Sequence, residues 1–342
     1  MVMSHNPASR TFTVTLLRQD GKSSHEKGLS SGGYDLLSYN DEVSGEEQVE
    51  ISMAINTPGD LHFWLTQWDW QPSIIGGTIL ILALYMYAVG PLREKFHLAD
   101  EVSLGKAMAF LLGVNLMFLS LFSALDELGD RYLFSAHMLQ HLILMMVGPP
   151  LLLLGTPDWL LQPLLRNRVV FRLGKILTHP AIAFTLFNAD AWLWHAPPLY
   201  DATLVNQPLH ILEHISFVFF GLLYWWPMFS PVKKGLPRLS MGGQILYLFF
   251  GSMPMVLLGA GLTFASPLFA PYLYAPRVWG LSPATDQQLG GLLMWVPVSL
   301  YMIVIMSILF IRWMQQQERQ QYEEESRWNG LGETGQSAPA KN

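Results

Sequence analysis

The chain has 342 residues, of which 51% are hydrophobic and only 13% charged. Soluble domains carry roughly 25% charged residues, so this composition, with its long uncharged runs, describes an integral membrane protein. A net charge of −6 gives no basis for a nucleic-acid partner. The absence of cysteine excludes disulfides, thiolate sites and iron–sulfur clusters, leaving His, Met, carboxylate or backbone as metal donors.

Residues 1–65 form a polar N-terminal segment rich in Ser, Gly, Asp and Glu. It reads as mostly disordered, with two alternating pieces at 11–17 and 49–55 that suggest one weak hairpin. It has no charged start followed by an apolar stretch, hence no signal peptide. Either it crosses the membrane unaided or the true start is later, at Met53.

Residues 66–312 read as an all-α membrane domain of seven transmembrane helices. The apolar segments lie near 72–90, 104–124, 133–154, 180–196, 209–228, 241–264 and 289–312. Each is matched against the roughly 20 residues that a helix needs to cross a ~30 Å hydrocarbon core. The fourth is the shortest and is interrupted by Asn188 and Asp190. Residues 313–342 form a Gln/Glu-rich cytoplasmic tail that extends the last helix by a few turns.

Lys and Arg concentrate in alternate loops: Arg93 and Lys95, then Arg166, Arg168, Arg172 and Lys175, then Lys233, Lys234 and Arg238, then Arg312 and Arg319. The intervening loops carry only Arg131 and Arg277. This asymmetry places the N-terminus outside and the C-terminus in the cytoplasm.

The chemistry lies in three motifs: His137-Met-Leu-Gln-His141, Trp194-His195-Ala-Pro, and His210-Ile-Leu-Glu-His214. Ionisable side chains inside a membrane are costly and mark function. With the orientation above, His137, His141, His195, His210 and His214 all fall in the outer half of the bilayer. Histidines four apart share a helix face, so each pair can chelate an ion. These five are the candidate metal ligands.

Gln140 and Glu213 occupy equivalent positions in the twin pentapeptides and could accept a ring N–H from a ligating imidazole. Asn188 is two turns before His195 and could support it. Imidazole suits copper, zinc and iron alike. Met138 is about 100° round the helix from His137 and reads as a poor co-ligand; Met294 is better placed. Asp126, Glu127 and Asp130 read as an acidic solvated loop before the third span, with attraction of a cation to the mouth of the site as the lesser reading. Asp286 reads as the N-cap of the last span, and Pro149, Pro150 and Pro254 as kinks.

The first motif continues through Gly148-Pro-Pro-Leu-Leu-Leu-Leu-Gly155-Thr-Pro157. It is followed by Asp190-Ala-Trp-Leu-Trp-His195-Ala-Pro-Pro-Leu-Tyr200, Tyr224-Trp-Trp-Pro227 and Ser282-Pro-Ala-Thr-Asp286-Gln-Gln-Leu-Gly-Gly-Leu-Leu-Met-Trp295. Together, over roughly residues 65–312, these motifs resemble the multi-span bacterial cytochrome c oxidase assembly factor family (CtaG, caa-type). The long N-terminal segment is not part of that family's pattern. The resemblance implies a multi-pass protein of the bacterial cell (inner) membrane that assists maturation of a copper-containing oxidase. Its partners would be oxidase subunits and a periplasmic or extracellular copper carrier.

The leading expectation is therefore a non-enzymatic assembly factor holding copper. Two alternatives stand beside it. One is a membrane zinc metallohydrolase, because His210-x-x-Glu213-His214 matches the H-x-x-E-H pattern. The other is a haem-binding redox or delivery protein.

Overall fold

The computed structural model describes residues 2–6, 11–15, 48–49, 58–99, 101–232 and 235–335, with side chains from 58 to 328. The chain forms two units, Met1–Trp64 and Leu65–Asn342. In the first, strands β1 (Val2–Asn6), β2 (Thr11–Thr15) and β3 (Gln48–Val49) pair antiparallel in the order β1-β2-β3, with Val14 opposite Val49. Residues 58–65 of the segment expected to be mostly disordered are described and enter a short helix; apart from the three strands, the rest of that segment, and Lys233 and Lys234 of the charge pattern, lie outside the described residues.

The regular structure among the second unit's described residues is helical, and the first helix begins within the first unit. After a short α1 (Leu61–Thr66), six helices are long and apolar enough to cross a membrane: α2 (Pro72–Lys95), α3 (Leu104–Phe122), α5 (Phe134–Gly155), α10 (Gln207–Phe229), α11 (Met241–Phe264) and the first part of α13 (Pro283–Gly335). Between them lie α4 (Ala124–Arg131), α6 (Asp158–Leu165), α7 (Arg168–Leu177), α8 (Pro180–Trp194), α9 (Pro197–Thr203) and α12 (Ala270–Tyr274).

The expected fourth span is α8. Its 15 residues reach ~22 Å at ~1.5 Å per residue, short of the ~30 Å apolar core. It stands at 71° to α7, and only if this bent pair counts as one span does the total reach seven.

Helix α5, which carries the first histidine pair, is the centre of the bundle. In its most apolar stretch 67% of residues are buried, against 11–39% in the other spans. It packs on α3, α10 and α13, while α8 packs on α10 and α11 on α13.

Pro149 and Pro150 have no N–H, so the carbonyls four residues earlier lose their helical donors. Those carbonyls belong to Met145 and Met146, inside a π-helical stretch, Ile143–Val147. Trp225 Nε1 of α10 donates to Met145 O at 3.2 Å, and Tyr301 Oη of α13 donates to Met146 O at 3.2 Å. The expected kink is thus a widened turn whose freed carbonyls bind the two neighbouring helices, as an apolar surrounding requires.

Trp225 is fully buried. The Trp225→Phe variant should leave the Met145 carbonyl unsatisfied and destabilise the protein by about 1–3 kcal/mol. A lowered melting temperature in detergent is the expected result.

Candidate metal centre

The first turns of α5 and α10 present the two histidine pairs to each other. Asn206 caps α10, accepting from Leu209 N at 3.2 Å. The cap of α5 comes from elsewhere in the chain: Asp286 accepts from Phe134 N (2.7 Å), Ser135 N (3.1 Å) and Ser135 Oγ (2.6 Å). Asp286 was expected to cap its own helix, but Ser282 does that, accepting from Thr285 N at 3.1 Å. A carboxylate at the positive end of α5 fixes the start of the histidine helix electrostatically as well as geometrically. Gly129 lets α4 come close, since a Cβ there would lie 3.0 Å from His137 Cα.

The four rings form a compact group. Centroids are 4.2 Å apart within each pair (His137 with His141, His210 with His214), 5.2 Å between His137 and His210, and 5.4 Å between His141 and His214. Glu213 sends Oε1 to 3.8 Å from His141 Nε2. Taking one donor atom from each of His137, His141, His210, Glu213 and His214, all five lie within 4.8 Å of one another. His137, His141, His210 and Glu213 are buried and His214 is half-buried.

Hydrogen bonds assign the ring nitrogens. Tyr272 Oη donates to Gly129 O at 2.7 Å, so its oxygen accepts from His137 Nδ1–H at 3.1 Å and from Tyr200 Oη at 3.1 Å. His137 therefore turns the lone pair of Nε2 inward. Asp130 lies between two rings, 3.5 Å from His137 Nδ1 and 3.5 Å from His210 Nδ1. Burial pushes the Asp130 carboxyl well above the usual carboxylate range, with Asp126 and Glu127 adding to the effect.

Among the described residues, His137 Nε2, both nitrogens of His141, His210 Nε2, His214 Nε2 and both oxygens of Glu213 are buried without a hydrogen-bond partner. Orphaned buried polar groups are costly. Here they face one another, which is what the donor set of a cation site requires. Nitrogen and carboxylate donors of this kind suit copper or zinc.

Three sequence-predicted residues fall outside this group. Gln140, the twin of Glu213, turns to α3 and α4, donating to Asp126 Oδ1 at 2.5 Å and Ser120 O at 3.0 Å. Asn188 donates to Phe184 O at 2.9 Å within its own helix. His195, at the end of α8, has its ring centroid 6.0 Å from that of His141, but its nitrogens face Ala191 O and Met138 Sδ.

Tyr272, which sequence reasoning passed over, and Asp130 and Met138, which it read as a solvated loop residue and a poor co-ligand, make contacts here. Asp130 lies on an acidic stretch seven residues before His137, and that closeness was the only available signal. Asp190 accepts from Trp194 Nε1 (3.0 Å) and from Ser216 Oγ of α10 (2.9 Å), joining α8 to the cluster's helix.

The comparisons with known proteins agree with the motifs. Residues 83–316 match the family described as cytochrome c oxidase caa3 assembly factor. An uncharacterized protein of Mycobacterium bovis and another of Mycobacterium tuberculosis are each 29% identical over 279 residues, 75% of this chain and 40% of the relative. An uncharacterized protein of Mycobacterium leprae is 26% identical over 291 residues, 79% of this chain and 43% of the relative. The chain thus spans about two fifths of the length of these relatives. No solved structure matches it.

The Gln140 contact carries a pH prediction. Burial pushes the Asp126 carboxyl up to about 7, opposed by the Gln140 hydrogen bond and assisted by Asp69 and Glu127. A carboxyl raised in the folded state is unfavourable only where it is ionised. The penalty is absent below the unfolded value near 4, grows as pH rises through about 7, and is then constant. Melting temperature of the metal-free protein should therefore fall as pH rises across this window. Asp126→Asn, which keeps an acceptor for Gln140, should flatten that fall. Equal slopes for the two proteins would contradict the assignment.

Proposed function

The chain belongs to the cytochrome c oxidase caa3 assembly factor family, and we propose that it supports oxidase maturation by holding copper as cargo at the His/Glu cluster. The observation that carries this reading is the set of five donors within 4.8 Å, four buried and one half-buried, most of them lacking a hydrogen-bond partner. His137, His210 and His214 would bind through Nε2, His141 through either ring nitrogen, and Glu213 through its carboxylate. Glu213 would also supply negative charge, which a cation removed from water needs. Asp130 and Tyr272 would hold the His137 ring in the Nδ1–H tautomer, and Asp130 would do the same for His210. Such outer contacts typically change metal affinity about 10- to 100-fold.

The chemistry required is exchange of ligands between this cluster and a partner, not turnover. Charge asymmetry of the loops supports a cluster facing the outer surface of a bacterial cell membrane, where an oxidase subunit and a copper carrier could reach it. Zinc bound by His210 and His214, with Glu213 activating water, would make the chain a hydrolase. The position of Glu213 among the donors favours a ligand role for it instead.

Metal analysis of the purified protein should find copper in the wild type and little in the His141→Ala/His214→Ala double variant. Equal zinc in both would contradict the ligand assignment. Cells lacking the protein should lose oxidase activity and regain it when copper is added; unchanged activity would count against the assembly role.

A further inference from the structure

Next to the imidazole cluster is a contact that ordinary hydrogen bonding does not explain. His195 places Nδ1 2.7 Å from Ala191 O and Nε2 3.3 Å from Met138 Sδ. A backbone carbonyl and a thioether are both acceptors, while a neutral imidazole has one N–H. The shorter contact, to the stronger acceptor, takes that proton. Nε2 then points a lone pair at a sulfur lone pair. Both residues are buried, Met138 completely and His195 to 4% exposure. Among the described residues no carboxylate lies within 4.0 Å of His195 to support an imidazolium.

Two facing Lewis bases with no proton between them are placed as ligands of one ion. Bonds of about 2.0 Å to nitrogen and about 2.3 Å to sulfur span 3.3 Å at an angle of about 100°. The geometry points to a second metal site at His195 and Met138, adjoining the imidazole cluster and selective for a soft monovalent ion, Cu(I) or its surrogate Ag(I). Imidazole nitrogen with thioether sulfur is a soft donor pair, unlike the nitrogen and carboxylate set beside it. His141 bridges the two: it belongs to the cluster, neither of its nitrogens has a hydrogen-bond partner, and its ring is 6.0 Å from that of His195. An ion carried as Cu(I) in both sites could pass between them by exchanging ligands around His141, with no change of oxidation state.

This inference rests on the proposed copper reading and is tested separately from it. The purified full-length protein is titrated anaerobically with Cu(I) and with Ag(I). Copper X-ray absorption then reports sulfur scattering, and a separate sample of each protein loaded with Cu(II) gives the spin-resonance signal of the imidazole cluster as a control. Wild type should bind a second equivalent and show a sulfur scatterer. Met138→Leu, a nearly volume-conserving change, and His195→Gln should weaken that equivalent at least tenfold and remove the sulfur signal, while leaving the Cu(II) signal intact.

A single equivalent in all three proteins, or sulfur scattering that survives Met138→Leu, would overturn the second site alone. Loss of the Cu(II) signal in Met138→Leu would overturn its separateness. Absence of copper from every protein would instead overturn the cluster reading on which this one rests.

Discussion

The structure depends on the cost of a buried nitrogen lone pair with nothing to accept. In an apolar interior an unpaired polar group carries a penalty of several kcal/mol, and here imidazoles and a carboxylate are brought together at the centre of the bundle without partners. A fold could avoid this by pairing each ring with a hydroxyl or carbonyl, as it does for the outer nitrogen of His137. Instead the second nitrogens are left facing inward. The proposed cation would turn that cost into bonding.

The surrounding architecture keeps those groups converged. Asp286, far along the chain, fixes the first turn of α5, and the Met145 and Met146 carbonyls freed by Pro149 and Pro150 tie the same helix to α10 and α13. Asp130 spans a histidine from each pair. The contacts of Asp286, Met145 and Met146 join segments distant in sequence. The histidine cluster thus starts on the most buried span, while the other spans leave much of their surface exposed.

What was legible in the sequence follows from periodicity. Spans show themselves by length and apolar content, and histidines four apart must share a helix face, so the convergence of His137, His141, His210 and His214 was readable. What could not be read depends on neighbours. Gln140 and Glu213 occupy matching places in matching pentapeptides, yet one meets Asp126 and the other meets His141, because different helices pack against α5 and α10. Met138 was dismissed for pointing away from His137, and that same rotation carries it to His195. Asp286 sits where a helix cap is expected but caps a helix that begins some 150 residues earlier. The fourth segment has the composition of a span, but the break between α7 and α8 shortens it.

The central claim is that these imidazoles share one ion. Pulsed electron spin resonance of the Cu(II)-loaded, full-length protein tests it most directly, because couplings to the remote ring nitrogens count the imidazoles bound to the metal. The account predicts several equivalent histidine couplings, reduced in number by His141→Ala and again by adding His214→Ala. Copper showing oxygen ligation alone, or a spectrum that neither substitution changes, would contradict it.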